Sequence, residues 1–470
     1  MKEIKLILFF IFILFSNAFS QVIVSIKDFG AKGDGKTNDQ IAFEKASKFL
    51  NSKKQNVQLF LPKGTYIVGG QSEKNTNNIY IEGSTVLELN NLSHIKIFGE
   101  NGTKIKYADK LKFGSFNPST SLPNGNKTPF NDKSKIAQIG CAILMKNCTS
   151  IEISNIELDG NLPNVILGSP WGDTGYQLWH YGFHISYSKN IIISHVNTHH
   201  FACDGISVSG SGKEEMNIKL LNSSFEYNGR QGFSWIGGKG VYVENCKFNH
   251  TGKSKLSSSP SAGIDIEAED GNEVKNGQFL NCEFINNAGC GLLAETGPSK
   301  NITFTNCTFW GTTNWSAWVN KPKYTFNTCN FYGSFVHGYV TTKFEDATKF
   351  YGCNFEDKKY NEQEVYGSML FESDGRKMMI FENCVFTANR KKIMWFNGIS
   401  SSNENEKAVF KNCVINVKNQ NLIKGDFFAV MRKMKMENVT FNYSFPKENK
   451  YYLSADNNLT KNIIVNYIKK

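Results

Sequence analysis

The sequence predicts an all-β fold, a parallel β-helix with an N-terminal capping helix, and three observations carry that expectation. First, an Asn-Cys pair returns at Asn147-Cys148, Asn245-Cys246, Asn281-Cys282, Asn306-Cys307, Asn383-Cys384 and Asn412-Cys413, and Thr328-Cys329 and Gly352-Cys353 fill two gaps. From Cys246 to Cys413 the steps are 36, 25, 22, 24, 31 and 29 residues, the uneven spacing of solenoid coils joined by loops of variable length. Second, segments such as Val241-Tyr242-Val243-Glu244 and Ile302-Thr303-Phe304-Thr305 alternate apolar with polar, the period of a strand with one buried face. Third, short strands of this kind repeat without helices between them, so each coil must add its strand to its neighbours, stacking equivalent residues about 4.8 Å apart.

The chain has 470 residues, with 20% charged and 40% hydrophobic, which excludes a disordered chain. At the front, Lys2 and Lys5 precede the apolar run Leu6 to Phe15, and Ala18-Phe19-Ser20 supplies a small-x-small site. That run is too short for a spanning helix, which needs about 20 residues. Residues 1–20 therefore read as a secretory signal peptide cut before Gln21, leaving a secreted chain with no membrane partner. Residues 21–470 are expected to form one β-helix domain, with 21–70 as the cap and first coils. In that cap, Asp28 to Asp39 is a Gly-rich turn feeding a helix, Thr37 and Gln40 fit a capping box, and Ala42, Ala46, Phe49 and Leu50 give one apolar face. A solenoid is open at its ends and needs such a cap.

The opening Asp28-Phe29-Gly30-Ala31-Lys32-Gly33-Asp34-Gly35-Lys36-Thr37-Asn38-Asp39, followed by Leu61-Pro62-Lys63-Gly64-Thr65-Tyr66, resembles the start of pectate-lyase-superfamily right-handed β-helix proteins. The resemblance covers residues 25–70 by motif, and the repeats agree with it beyond. It implies a right-handed helix and action on polysaccharides. It does not imply a reaction, because hydrolases, lyases, epimerases and non-catalytic binders share the fold. The Asn-Thr-Asp, Asp-Asp, Gly-His-Gly and Arg-Ile-Lys motifs of the polygalacturonase branch are not intact here. Cys203-Asp204-Gly205 only echoes the first, so no catalytic residue of that branch is carried over.

Eight of the eleven cysteines share one repeat position. That favours an inward stack of free thiols acting as small core hydrophobes, although export would permit disulfides. The neighbouring asparagines suit a side-chain ladder at a turn.

A glycine opens a strand on five successive coils: Gly182-Phe183-His184-Ile185-Ser186, Gly205-Ile206-Ser207-Val208-Ser209, Gly232-Phe233-Ser234-Trp235-Ile236, Gly263-Ile264-Asp265-Ile266-Glu267 and Gly291-Leu292-Leu293-Ala294-Glu295. The second and fourth places are apolar and face the core, which makes Trp235 a core residue. The third and fifth face away from it, and there Asp265, Glu267 and Glu295 gather on two coils. Asp265 and Glu267 lie about 6–7 Å apart between Cα atoms, and Glu267 and Glu295 would stack about 5 Å apart. Like charges that close raise one pKa and keep a proton available, as glycosidic cleavage requires. The same pattern also fits a calcium site completed by Glu269 and Asp270, or a solvated acidic patch.

Around these carboxylates, Asp204, Arg230 and Gln231 are expected on the same side. Arg230 could hold a substrate carboxylate or sulfate, or pair with Asp204. His184, His195, His199 and His200 cluster in sequence, with His184 and His200 candidates for substrate contact. No Cys/His spacing matches a zinc motif, so no metal ligand is assigned. Two long loops could wall a groove. Residues 161–181 carry Trp171, Asp173, Tyr176, Trp179 and His180, and residues 310–318 carry Trp310, Trp315 and Trp318. Trp179 and Trp315 are the candidates for stacking on sugar, although loop tryptophans also pin loops.

The net charge of +11, with Lys253 and Lys255 on a Ser-rich loop, favours an anionic partner. No nucleic-acid-binding module is present. The sequence therefore predicts a secreted, monomeric, polysaccharide-degrading enzyme acting on an acidic glycan. A glycoside hydrolase is preferred to a lyase or a non-catalytic glycan binder. No cofactor is required, with calcium the one cation the acidic residues could use.

Overall fold

Each Asn-Cys pair is a corner where one strand ends and the next begins. Asn147, Asn245, Asn281, Asn306, Asn383 and Asn412 hold φ between 53 and 57°, and Thr328 (51°) and Gly352 (63°) do the same in the two gaps of the series. Asparagine enters this left-handed region more readily than other side chains because its short amide bonds locally. Here the amides also stack across coils. Asn245 Nδ2 donates to Asn222 Oδ1 (3.0 Å), Asn281 to Asn245 (3.1 Å) and Asn306 to Asn281 (2.7 Å). We expect Asn281→Ala to cost about 1–2 kcal/mol through the left-handed backbone, and Asn281→Gly to cost less, as urea unfolding would measure. Equal losses would mean that the ladder bonds, not the backbone, set the cost.

The cysteine after each corner turns inward. The eight in the repeat position are no more than 1% exposed, and all eleven cysteines are buried free thiols. Two places on, Phe248, Phe284, Phe309, Phe331, Phe355 and Phe386 stack nearly parallel with centroids 4.7–5.4 Å apart. A second ladder of Phe279, Phe304, Phe326, Phe350, Phe381 and Phe410 runs beside it at 4.6–5.2 Å. Stacked rings keep equivalent residues in register from coil to coil.

The computed structural model describes residues 22–75, 79–122, 138–168, 178–373, 379–396, 408–418, 435–446 and 460–468. The expected signal peptide lies outside them. No helix among the described residues is long and apolar enough to cross a membrane. The strands form a right-handed parallel β-helix. One long sheet stacks segments such as Gln55–Leu61, Ser93–Gly99, Thr149–Ser154, Lys189–Ser194, Glu215–Leu221 and Gly238–Glu244 in parallel register. A second contains Gln138–Lys146, Trp179–Ser186, Asp204–Ser209, Gln231–Trp235, Ala262–Ile266, Leu292–Ala294 and Ala317–Val319. A third contains Thr103–Tyr107, Glu157–Asp159, Asn197–His199 and Ser224–Glu226. A small sheet of Gln71–Asn75, Ile79–Gly83, Lys112–Phe116 and Ile166–Leu167, partly antiparallel, is an addition the repeat pattern does not foretell.

The helix Gln40–Lys53 caps the first coil, burying Ala42, Phe43, Ala46 and Leu50. The expected capping box is not formed. The N-cap is Asp39 and makes no side-chain cap bond. Its carboxylate instead accepts from Lys32 N (2.7 Å) and Gly33 N (2.9 Å), tying down the Gly-rich turn. Local spacing suited a cap, but Thr37 turns back to donate to Asp34 within the same turn and Gln40 reaches the distant Ser84 and Thr85.

Candidate active site

The glycines that open the site strands sit where coils press together. A Cβ on Gly263 would lie 2.7 Å from both Asn287 Nδ2 and the Gly291 carbonyl oxygen, closer than real contacts allow. The strands that follow pair as expected: His184 with Ser207, Ser207 with Ser234, Ser234 with Asp265, and Asp265 with Leu293. The file then runs on to Trp318, Val336 and Glu372. Alternation sets it opposite the core residues Ile264 and Ile266, and Trp235 is fully buried in that core, as expected.

This outer face is not bare. Cys141, Leu144, Tyr181 and Cys203 form an apolar cluster separate from the main core, with Leu144 in register with His184. Ser207, Ser234 and Asp265 are at most 2% exposed. Loop 251–261 runs past the strand starts, where Ser258 N donates to the Gly229 carbonyl. Its lysines, expected to face an anionic partner, are engaged. Lys255 Nζ donates to the carbonyls of Pro163 and Val165, and Lys253 to Thr313.

Four buried polar side chains meet at the strand starts. Arg230 grips Asp204 bidentately, Nε to Oδ1 at 2.8 Å and Nη2 to Oδ2 at 2.6 Å. Of the two roles open to Arg230, the structure therefore shows the pairing with Asp204, both being almost wholly buried. Beside them, Gln231 Nε2 donates to Asp265 Oδ2 at 2.8 Å. Burial, and then the nearby Glu267 charge, push the Asp265 carboxyl up to about 8, so it keeps its proton at neutral pH. Burial pulls His184 down to about 4, which leaves its imidazole neutral. His184 Nδ1, Ser234 Oγ and Gln231 Oε1 are buried without a hydrogen-bond partner in the protein. Such atoms are costly unless a ligand or water meets them.

The other carboxylates divide. Glu267 acts on Asp265 through its charge and also helps burial to raise Glu269. Glu295, expected to stack on Glu267, is turned to the next coil, accepting from Trp318 Nε1 (2.8 Å) and Asn320 Nδ2 (3.2 Å). Among the described residues, no three of Asp265, Glu267, Glu269, Asp270 and Glu295 bring oxygens to one point. Of the other expected carboxylates, Glu267, one residue past the end of the strand Ala262–Ile266, is the one whose charge raises Asp265.

Trp179 opens its strand, 38% exposed, with its ring 5.2 Å from Tyr181 and 5.5 Å from His184. Trp315 packs edge-on against Trp318 (4.7 Å) and Tyr366 (5.5 Å), so it pins its loop. Trp318, expected on that loop, lies in the strand Ala317–Val319, and Trp310 ends the strand Thr308–Trp310. His180 points inward and is fully buried, its Nδ1 accepting from Ala202 N. His200 does not join His184. It stands at the end of the third sheet with His199 and Asp159. Trp171, Asp173 and Tyr176 lie outside the described residues. Tyr181 was missed because an aromatic residue before an opening glycine carries no local signal of facing outward.

Residues 141–331 match the right-handed β-helix region family. A polygalacturonase from Arabidopsis thaliana, ADPG1, is 28% identical over 36% of this chain and 44% of its own length, so the chain spans less than half of that relative. Among solved structures, the A-module of mannuronan C-5 epimerase AlgE6 from Azotobacter vinelandii aligns with 95% of this chain and 100% of its own, at 14% identity and a TM-score of 0.55. The AlgE4 A-module from the same organism aligns with 95% and 99%, at 12% identity and a TM-score of 0.45. The AlgE6 likeness shows the fold.

Proposed function

We propose that this chain, a pectate-lyase-like right-handed parallel β-helix protein, is a secreted polysaccharide-active enzyme that cleaves an acidic glycan as a glycoside hydrolase. One observation carries the reading: Asp265 is held protonated beside the Glu267 charge. Asp265 would protonate the glycosidic oxygen as it leaves, and Glu267 would draw a proton from the attacking water. His184, Ser234 and Gln231 offer unspent polar atoms, and Trp179 offers an exposed ring. The similarity to a polygalacturonase supports a uronate-bearing substrate, and the net charge of +11 suits one. This acid–base chemistry needs no cofactor.

A lyase needs a cation to neutralise the uronate beside a base. Arg230 is committed to Asp204, and Lys239 pairs with Glu215 on another sheet. Both facts favour the hydrolase.

The test is to incubate the protein with polygalacturonate, alginate, a sulfated galactan and a neutral glucan, following reducing ends and unsaturated-uronate absorbance together. New reducing ends without absorbance are expected. Both signals rising would replace the hydrolase with a lyase, and binding without either signal would make the protein a glycan binder. On the cleaved glycan, Glu295→Gln should lower kcat less than about tenfold, since Glu295 orients Trp318 and Asn320, whereas loss of a general acid costs about 10²–10⁴-fold. A larger loss in Glu295→Gln would return Glu295 to the acid–base pair.

A further inference from the structure

Away from Asp265, the third sheet brings together a second set of chemically able side chains. Asp159 and His199 are partners on adjacent coils. His200 follows with φ 58°, a left-handed conformation that histidine tolerates better than most residues. Along a regular strand, successive side chains face opposite ways. The left-handed step undoes this, and the Nδ1 atoms of His199 and His200 come to 2.7 Å. Asp159 Oδ1 lies 3.7 Å from His199 Nδ1, and one ligand atom from each residue lies within 4.8 Å of the other two.

The surroundings orient these atoms. His199 Nε2 is 3.0 Å from Glu157 Oε1, which also receives Lys104 Nζ at 2.6 Å. An ionised carboxylate only accepts, so Nε2 carries a hydrogen; in the neutral ring Nδ1 then presents its lone pair, accepting from His200 Nδ1–H at 2.7 Å, a proton that leaves when an ion binds. A carboxylate behind the remote nitrogen is the usual second shell of a metal-ligating imidazole. The His200 ring is fixed by stacking on Tyr227 (5.4 Å, 6°), which stacks in turn on His250 (4.6 Å, 10°). All three ligand candidates are partly exposed, so an ion would have a path in and positions left for water.

We propose that Asp159, His199 and His200 form a solvent-open site for a divalent first-row transition ion of the zinc class. Two imidazoles and one carboxylate suit zinc and its neighbours, whereas calcium and magnesium prefer all-oxygen sets. Tetrahedral zinc with Zn–N near 2.05 Å would set the two nitrogens about 3.3 Å apart, so the pair opens by roughly 0.6 Å on binding, a small turn of the His200 ring.

The site is tested by titrating tag-free, chelator-treated protein with Zn²⁺ by calorimetry and with Co²⁺ by visible absorption. One equivalent of each should bind, with Co²⁺ giving the intense bands of a four- or five-coordinate ion. His199→Ala and His200→Ala should each abolish saturable binding, and Glu157→Gln should weaken it by about 10–100-fold. His195→Ala, an exposed histidine outside the group, should bind as the parent does. Melting in chelator establishes that each variant is folded, and Glu157→Gln, which keeps all three ligands, serves if an alanine variant is not. Absence of saturable binding in the parent, binding that survives both alanine changes, or an unchanged affinity in Glu157→Gln with His195→Ala weakened, would each overturn the site.

Discussion

Asp265→Asn is expected to abolish most glycan cleavage while making the folded protein more stable at neutral and alkaline pH. The activity loss should be about 10²–10⁴-fold in kcat, the usual contribution of a positioned general acid, with glycan binding retained. The stability gain follows from linkage. The Asp265 pKa is raised from the ordinary 3.8 to about 8 in the folded state. The folded protein therefore binds a proton there that the unfolded chain has released across this window. That contribution is fully present below pH 4 and is lost as pH rises to about 8. Asparagine carries no such proton, so the variant should gain on the parent by up to about 1.4 kcal/mol per pH unit between pH 4 and 8. It should gain no more above that window. Urea unfolding at pH 5 and pH 8.5 measures the gap, and a gap that fails to widen refutes the raised pKa. The same group places the alkaline limb of the parent's pH–rate profile near 8, where the acid loses its proton.

Arg230→Met should destabilise the fold by about 3–5 kcal/mol, because it leaves Asp204 as an uncompensated buried charge. Asp204→Leu should do the same by stranding Arg230. The double variant should recover much of either loss, since no buried charge then remains unpaired. Additive losses in the double variant would show that the two side chains do not act as a pair. Arg230 also lowers the Asp265 pKa through its charge. In a folded Arg230→Met sample the alkaline limb of activity should therefore move up in pH, a change that a purely structural role would not cause.

Much of the solenoid was legible residue by residue. Asn281 and Cys282 announce their corner because only a few side chains adopt φ near 53° and only a small apolar one fits the stack behind it. The file of His184, Ser207, Ser234 and Asp265 could be aligned because each of them follows by two residues a glycine that contact between coils demands, as Gly263 shows. Partnership was not legible in the same way. Glu267 and Glu295 occupy equivalent places, yet Trp318 Nε1 and Asn320 Nδ2 draw Glu295 to the following coil. Trp318 itself read as a loop residue because its strand is only three residues long.

What the sequence determines alone is periodic: strand alternation, the turn positions, the inward cysteines and phenylalanines, and the outward file. These depend on the geometry of one chain repeated, and a period of two or of one coil is written directly in residue order. What only the tertiary structure decides is which polar groups are dry and whom they face. Arg230 and Asp204 stand 26 residues apart, and Asp159 and His199 forty. Whether such groups pair, ionise or gather at one point depends on burial and on distances of a few ångströms between coils, and loops of variable length leave no trace of those in residue order.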